Sequence, residues 1–180
     1  RFTIDGERID VRPSSGGIAS ALGVVRGDAL WVGWPGTVVP DHLQPGATKR
    51  LAKDNFVPIY LSADEEHDFY GRVCNDSLWP LLHYFGDRLR LTPEAWQRYV
   101  NVNQRFADAI LEHTGPDSRV WVHDFHLMLV PAMLRRRAPN LSVGFFLHTP
   151  LPSSEVYRPL PAREETVGGL LGADYVRFRV

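Results

Sequence analysis

A chain of 180 residues is long enough to bury a substantial core and fits a single domain. Its 44% hydrophobic and 23% charged residues are those of an ordinary soluble protein, and 20 Lys plus Arg against 21 Asp plus Glu leave a net charge of -1, so there is no basic excess to recruit nucleic acid. No apolar run approaches membrane-spanning length, the N-terminus has no signal-peptide core, and the single Cys74 has no partner for an internal disulfide; together these fit a cytoplasmic protein without a membrane partner.

The first half is irregular. Alternating pieces at 1–4 and 8–12 flank Asp5-Gly6, a hairpin signal. Ser14-Ser15-Gly16-Gly17 then feeds a short helix; free backbone N–H groups at such a turn can hold an anion, but paired Gly and Ser are common in loops, so the sequence alone favours an ordinary flexible turn. Residues 29–34, ALWVGW, predict a strand stopped by Pro35-Gly36, with Trp34 at its carboxyl end, where an indole can cover a sugar ring. Residues 37–55 show no clear pattern. Residues 56–61 predict a second strand, held to an edge or a bulge by Pro58.

Ser62 and Glu65 form a capping-box pattern that opens a helix to about residue 74. A second helical piece begins near Leu78, with Pro80 in its first turn. Thr92-Pro93-Glu94 starts the clearest helix, whose apolar stripe of Trp96, Tyr99, Val100, Phe106, Ile110 and Leu111 contains one polar intruder, Asn103. After the Gly115-Pro116 break, residues 119–123 and 142–148 read as strands buried on both faces. Between them lies a helix over 127–138 with a basic end. A short helix after Ser153, a helix over 162–171 and a last strand over 174–178 complete the chain. This alternation implies an α/β fold, Rossmann-like, with a mainly parallel sheet and helices on both faces.

In such sheets ligands bind beyond the carboxyl ends of the strands. The strand at 119–123 runs into His123, Asp124 and His126, and the next one ends in His148. These groups are suited to hydrogen bonding, to acid–base chemistry or to metal ligation. Asp124 suits a sugar hydroxyl, and His148 can donate to a hydroxyl or an oxyanion. A metal is disfavoured because no further Cys, Asp or Glu cluster has ligand spacing. No nucleophile elbow, Walker loop or complete G-x-G-x-x-G is present.

A set of motifs then carries a resemblance. Gly16-Gly17, WVGWPG at 31–36, FYGRVCNDSLWP at 69–80, HYF at 83–85, YVNVN at 99–103, VWVHDFHLMLVP at 120–131, GFFLHTPLPSSE at 144–155 and GADY at 172–175 resemble, in order and spacing, the trehalose-6-phosphate synthases. These are retaining glycosyltransferases of family 20 with two Rossmann-like domains (the GT-B arrangement), which join glucose from UDP-glucose to glucose 6-phosphate. The resemblance implies that Trp34, Tyr70, Trp79 and Asp124 bind the acceptor sugar and that His148 contacts the transferred glucose. It makes Asp124 and His148 the catalytic pair and Gly16 and Gly17 a loop near the donor phosphates. It implies mainly supporting roles for His123 and His126. No cofactor and no metal are implied.

The same resemblance places the family's opening strand, with an arginine for the acceptor phosphate, before Arg1, and the nucleotide-sugar domain after Val180. The chain is thus expected to be one acceptor-binding domain, 1–180, cut at both ends and inactive alone. Arg177 stands where the family has Gly. Three competing readings are a relative using another acceptor such as glycerol 3-phosphate, a non-catalytic module with a second copy or a partner chain over its exposed sheet, and a metal-dependent hydrolase built on His123, Asp124 and His126.

Overall fold

A computed structural model describes residues 2–5, 8–11 and 29–179. It forms two compact units, Arg1–Glu66 and His67–Val180. In the first, β1 (Phe2–Asp5) and β2 (Arg8–Val11) pair antiparallel with Asp5 opposite Arg8, as the Asp-Gly signal predicts. The glycine stretch at 14–17 and the helix expected after it lie outside the described residues.

β3 (Trp31–Gly33) pairs parallel with β4 (Phe56–Pro58), in the register Trp31 to Phe56 and Gly33 to Pro58. A parallel pair requires a crossover, and α1 (Gln44–Ala52) supplies it where the sequence showed no pattern. The reason is that only Ala47 and Leu51 of this helix are buried, packed with Val39, while its other positions are polar or are Pro45, Gly46 and the exposed Ala52. The predicted strand over 56–61 stops at Pro58, although Ile59 still donates to the Gly33 carbonyl at 2.8 Å.

The capping box is present: Glu65 N donates to Ser62 Oγ at 3.2 Å, and Ser62 N donates to Glu65 Oε2 at 2.9 Å. The helix it opens, α2 (Ala63–Glu65), does not end near residue 74. It continues as a π-helix (Glu66–Leu78) and returns to α form in α3 (Trp79–Leu82). The polar run Asn75-Asp76-Ser77, which reads as a break, is absorbed within the π-helix, and Ser77 is buried. π-helical hydrogen bonding is rare at this length, and its usual form, a single-turn bulge within an α-helix, is frequent at functional sites.

In the second unit α4 (Pro93–Glu112) is capped by Thr92, whose Oγ1 accepts from Ala95 N at 3.3 Å. β5 (Arg119–His123), β6 (Ser142–Leu147) and β7 (Tyr175–Phe178) form a parallel sheet in that order. α5 (Val130–Arg137) connects the first two strands, and α6 (Ser154–Tyr157) and α7 (Arg163–Leu170) lie between β6 and β7. One sheet face is core, with Val122, Val143, Phe145 and Leu147 buried. The expectation that β5 is buried on both faces is corrected: Trp121 is 56% exposed, and Tyr175 on β7 is 61% exposed. A short apolar run cannot distinguish one covered face from two.

α4 packs on α5, and α5 on α7. The last contact is too close for side chains. A Cβ on Gly169 would lie 2.3 Å from the Met128 carbonyl oxygen, and one on Gly172 would lie 2.3 Å from Ala132 Cα. Arg135 ties the end of α5 to the chain entering β7. It pairs with Asp174 at 2.7 Å and donates to the carbonyls of Gly172 and Leu141 at 3.1 Å each.

Candidate functional site

The site is built from the carboxyl ends of β5 and β6. Their parallel register sets His123 beside Phe146, so Asp124 and His148 arrive at the same sheet edge. Asp124 N donates to the Phe146 carbonyl at 2.8 Å, extending the ladder by one bond. The chain must then turn sharply into the 3-10 turn Phe125–Leu127, and it does so at Asp124, with φ 73° and ψ 168°. That backbone region is essentially reserved for glycine and costs roughly 1–3 kcal/mol for a residue with a side chain. Asp124 is 7% exposed. Its Oδ1 accepts from Phe125 N at 3.0 Å and from His148 N at 3.4 Å, while Oδ2 lies 3.9 Å from His126 Nδ1.

His123 Nδ1 and His148 Nε2 are 3.1 Å apart, in hydrogen-bond contact. Burial, reinforced by His148 and opposed by the Asp124 carboxylate, pushes the His123 pKa down to about 4. Burial also lowers His148, with Asp124 opposing and Arg179 reinforcing. Both rings are therefore neutral at neutral pH and act through hydrogen bonds rather than as cations. His126 is lowered too, again by burial against the opposing Asp124 charge.

His126 is stacked between two aromatic rings, 4.2 Å from Phe125 and 5.7 Å from Tyr70 between centroids. Tyr70 therefore reaches the Asp124 turn through His126. It comes from the π-helix, tied to α4 by Arg98 Nε to Asp68 Oδ2 at 2.8 Å. Trp79 follows at the start of α3, 43% exposed, its indole stacked 4.0 Å above His83. The structure thus brings together Asp124, His148, His126 and Tyr70. Trp34 lies in the first unit, where its Nε1 donates to the Thr37 carbonyl at 3.3 Å. Gly16 and Gly17 lie outside the described residues. Among the described residues, no group of three His, Cys, Asp or Glu is arranged to hold a metal ion.

One contributor, Arg179, was missed at the sequence level; Arg177, Tyr99 and Asn103 were noted there, but without their place or partners in the fold. Arg179 follows β7 and sets a positive charge facing His148. Arg177, at the position where the resemblance expects Gly, is exposed on β7 opposite Phe146. Tyr99 and Asn103, both fully buried on α4, grip the segment that follows Asp124. Tyr99 Oη donates to the Phe125 carbonyl at 2.7 Å and accepts from Met128 N at 3.1 Å. Asn103 Nδ2 donates to the His126 carbonyl at 3.0 Å, and its Oδ1 accepts from Leu129 N at 3.2 Å. The signal was visible as a polar residue inside an apolar stripe; its partners were not.

The profile of glycosyltransferase family 20 matches residues 1–180. The chain is 43% identical over 174 residues to alpha,alpha-trehalose-phosphate synthase [UDP-forming] 1 of Arabidopsis thaliana, covering 92% of this chain and 18% of that protein. Among solved structures it is similar to the trehalose-6-phosphate synthase OtsA, with a TM-score of 0.79, 31% identity, and coverage of 93% of this chain and 37% of OtsA. It is also similar to a Burkholderia xenovorans alpha,alpha-trehalose-phosphate synthase (UDP-forming) in complex with glucose-6-phosphate, with a TM-score of 0.79, 27% identity, and coverage of 93% of this chain and 38% of that one. The chain therefore spans from about a fifth to two fifths of the length of these relatives. The α/β fold is that of a GT-B glycosyltransferase segment, and with the whole of its length matched, the chain belongs to glycosyltransferase family 20.

Proposed function

We propose that this chain is the acceptor-sugar side of an alpha,alpha-trehalose-phosphate synthase that transfers glucose from UDP-glucose to glucose 6-phosphate. The observation that carries the reading is Asp124, held in a glycine-like backbone conformation at the strand edge beside His148. Non-glycine strain of this kind is kept where a side chain has work to do. The Asp124 carboxylate accepts a hydroxyl of the acceptor sugar, while Tyr70 and Trp79 present aromatic faces to it; the family resemblance adds Trp34 to the acceptor residues. His148, neutral and hydrogen-bonded through Nε2 to His123, donates or accepts at a hydroxyl of the transferred glucose. The family resemblance assigns Gly16 and Gly17, which lie outside the described residues, to the donor phosphates.

In a retaining transfer of this type the leaving phosphate and the incoming hydroxyl share one face of the donor sugar. The residues of this chain then contribute placement and hydrogen bonding rather than a covalent nucleophile. The complete protein, carrying this chain as a single acceptor domain, performs the reaction in the cytoplasm. No helix among the described residues is long and apolar enough to cross a membrane. Calorimetric titration with glucose 6-phosphate and, separately, glycerol 3-phosphate tests the acceptor. Binding of the first alone supports the reading; binding of the second alone replaces it with the relative that uses another acceptor. A second reading is favoured by the exposed Trp121 and Tyr175: another chain or a second copy covers this sheet face. Light scattering showing only monomer would remove it.

A further inference from the structure

We infer that Tyr99 and Asn103 are positioning residues for Asp124: together they form a buried clamp that forces its backbone into the left-handed region and so aims its carboxylate. Asp124 is fixed on one side by the sheet, where its N–H donates to the Phe146 carbonyl at 2.8 Å. On the other side four backbone groups in the next five residues are bound by two side chains. Tyr99 holds the Phe125 carbonyl and the Met128 N–H, and Asn103 holds the His126 carbonyl and the Leu129 N–H. The two side chains are also joined, because Asn103 Nδ2 donates to the Tyr99 carbonyl at 2.9 Å.

The Met128 and Leu129 N–H groups precede α5 and lack partners within it, so their loss of a side-chain acceptor would leave buried donors unpaired. The far side of the same segment is closed by α7, where Gly169 sits against the Met128 carbonyl oxygen. With the ladder bond before Asp124 fixed and the segment after it fixed, the reversal between them falls on one residue. Its φ of 73° and ψ of 168° are what remains. The local contributions are the bonds from Phe125 N to Asp124 Oδ1 at 3.0 Å and from Leu127 N to the Asp124 carbonyl at 3.1 Å, and a conformation of this kind persists where the surrounding structure over-determines it.

A purely structural role for Asn103 and Tyr99 would affect stability but leave the residue preference at position 124 unchanged. The test therefore compares Asp124→Gly with Asp124→Ala in the full chain, which removes the carboxylate from both and isolates the backbone. With the clamp intact, the Gly variant unfolds at a urea midpoint higher than the Ala variant by roughly 0.5–1 M. In a Tyr99→Phe background, which keeps the ring and removes both bonds of the hydroxyl, that difference falls by half or more. In Asn103→Leu it vanishes or reverses, since Ala then has the advantage of a less flexible unfolded chain. Equal differences in all backgrounds would overturn the inference. If Asn103→Leu does not fold, the Tyr99→Phe cycle alone decides.

The link to substrate rests on the proposed function and is read separately. Tyr99→Phe should weaken glucose 6-phosphate binding roughly tenfold with little change in overall fold. A non-additive cycle in a protein that binds no glucose 6-phosphate would leave the clamp standing and remove the functional reading. An additive cycle with binding intact would do the reverse.

Discussion

Two residues of the second unit with side chains, Asp124 and Tyr84, occupy the left-handed half of backbone space, at φ 73° and φ 70°. Tyr84 is 62% exposed and terminates α3. Phe85 N donates to the Pro80 carbonyl at 2.8 Å and Tyr84 N to the Leu81 carbonyl at 3.1 Å. That is a Schellman cap with tyrosine where glycine is usual. Asp124 is buried, and its conformation is imposed by partners more than twenty positions away. The same dihedral is thus a local helix-ending device in one place and a tertiary constraint in the other. Local strain is relieved by one substitution at no functional expense, whereas strain held from outside is coupled to whatever the carboxylate does.

The largest expected effect separates the two. Asp124→Ala in the complete protein should lower glucosyl transfer by about a hundredfold or more, measured as UDP release, with the circular dichroism of the sheet retained. Asp124→Gly should lose as much activity despite relaxing the backbone; activity surviving in Asp124→Gly would mean that the turn matters and the carboxylate does not. Next, Asn103→Leu should cost about 2–3 kcal/mol in urea unfolding, because the His126 carbonyl and the Leu129 N–H lose buried partners. A cost below about 0.5 kcal/mol would place the clamp in the same weak class as an exposed cap.

The histidines around Asp124 give a pH signature. His123 titrates at about 4 when folded against an ordinary 6.5, and His126 and His148 are lowered as well. As pH falls from about 6.5 towards 4 the unfolded chain takes up protons that the folded one refuses, so stability declines across that window and levels off below it. Urea midpoints at pH about 7.5 and about 4.5 should differ in that sense, and less so in His123→Phe. The smallest effect is Tyr84→Gly, a gain of about 1 kcal/mol by thermal unfolding with unchanged sugar-phosphate binding. A loss of binding there would show that the exposed turn, too, is tied to the site.

Elements whose signals lie in adjacent residues were legible in the sequence. The Ser62–Glu65 box, the Thr92 cap, the parallel strands ending in His123 and His148, and the hairpin around Asp5 all follow from short-range chemistry. α1 was not legible, because two buried residues make no stripe. The π-helix was not, because its polar turn mimics a helix break. At the site, Asp124 could be singled out by its place after a strand, but its φ could not. The hydroxyl of Tyr99 and the amide of Asn103 meet the Asp124 segment only once α4 lies across it. Asn103 was conspicuous as a misfit in an apolar face, and misfits of that kind are where tertiary partners are to be sought.

The contact between His123 Nδ1 and His148 Nε2 has room for one proton. When both rings are neutral, one nitrogen of the pair donates and the other accepts, so the two tautomers are not independent. If His123 carries its hydrogen on Nδ1, His148 must carry its own on Nδ1 and can donate from that edge. If instead His148 donates through Nε2, its Nδ1 becomes an acceptor and His123 carries its hydrogen on Nε2. A ligand that demands a donor from His148 therefore rewrites the outer nitrogen of His123 in the same step. The strand ends share a two-state reading of the ligand's polarity, and a Trp121 ring 4.9 Å from His123 gives that switch a fluorescent neighbour.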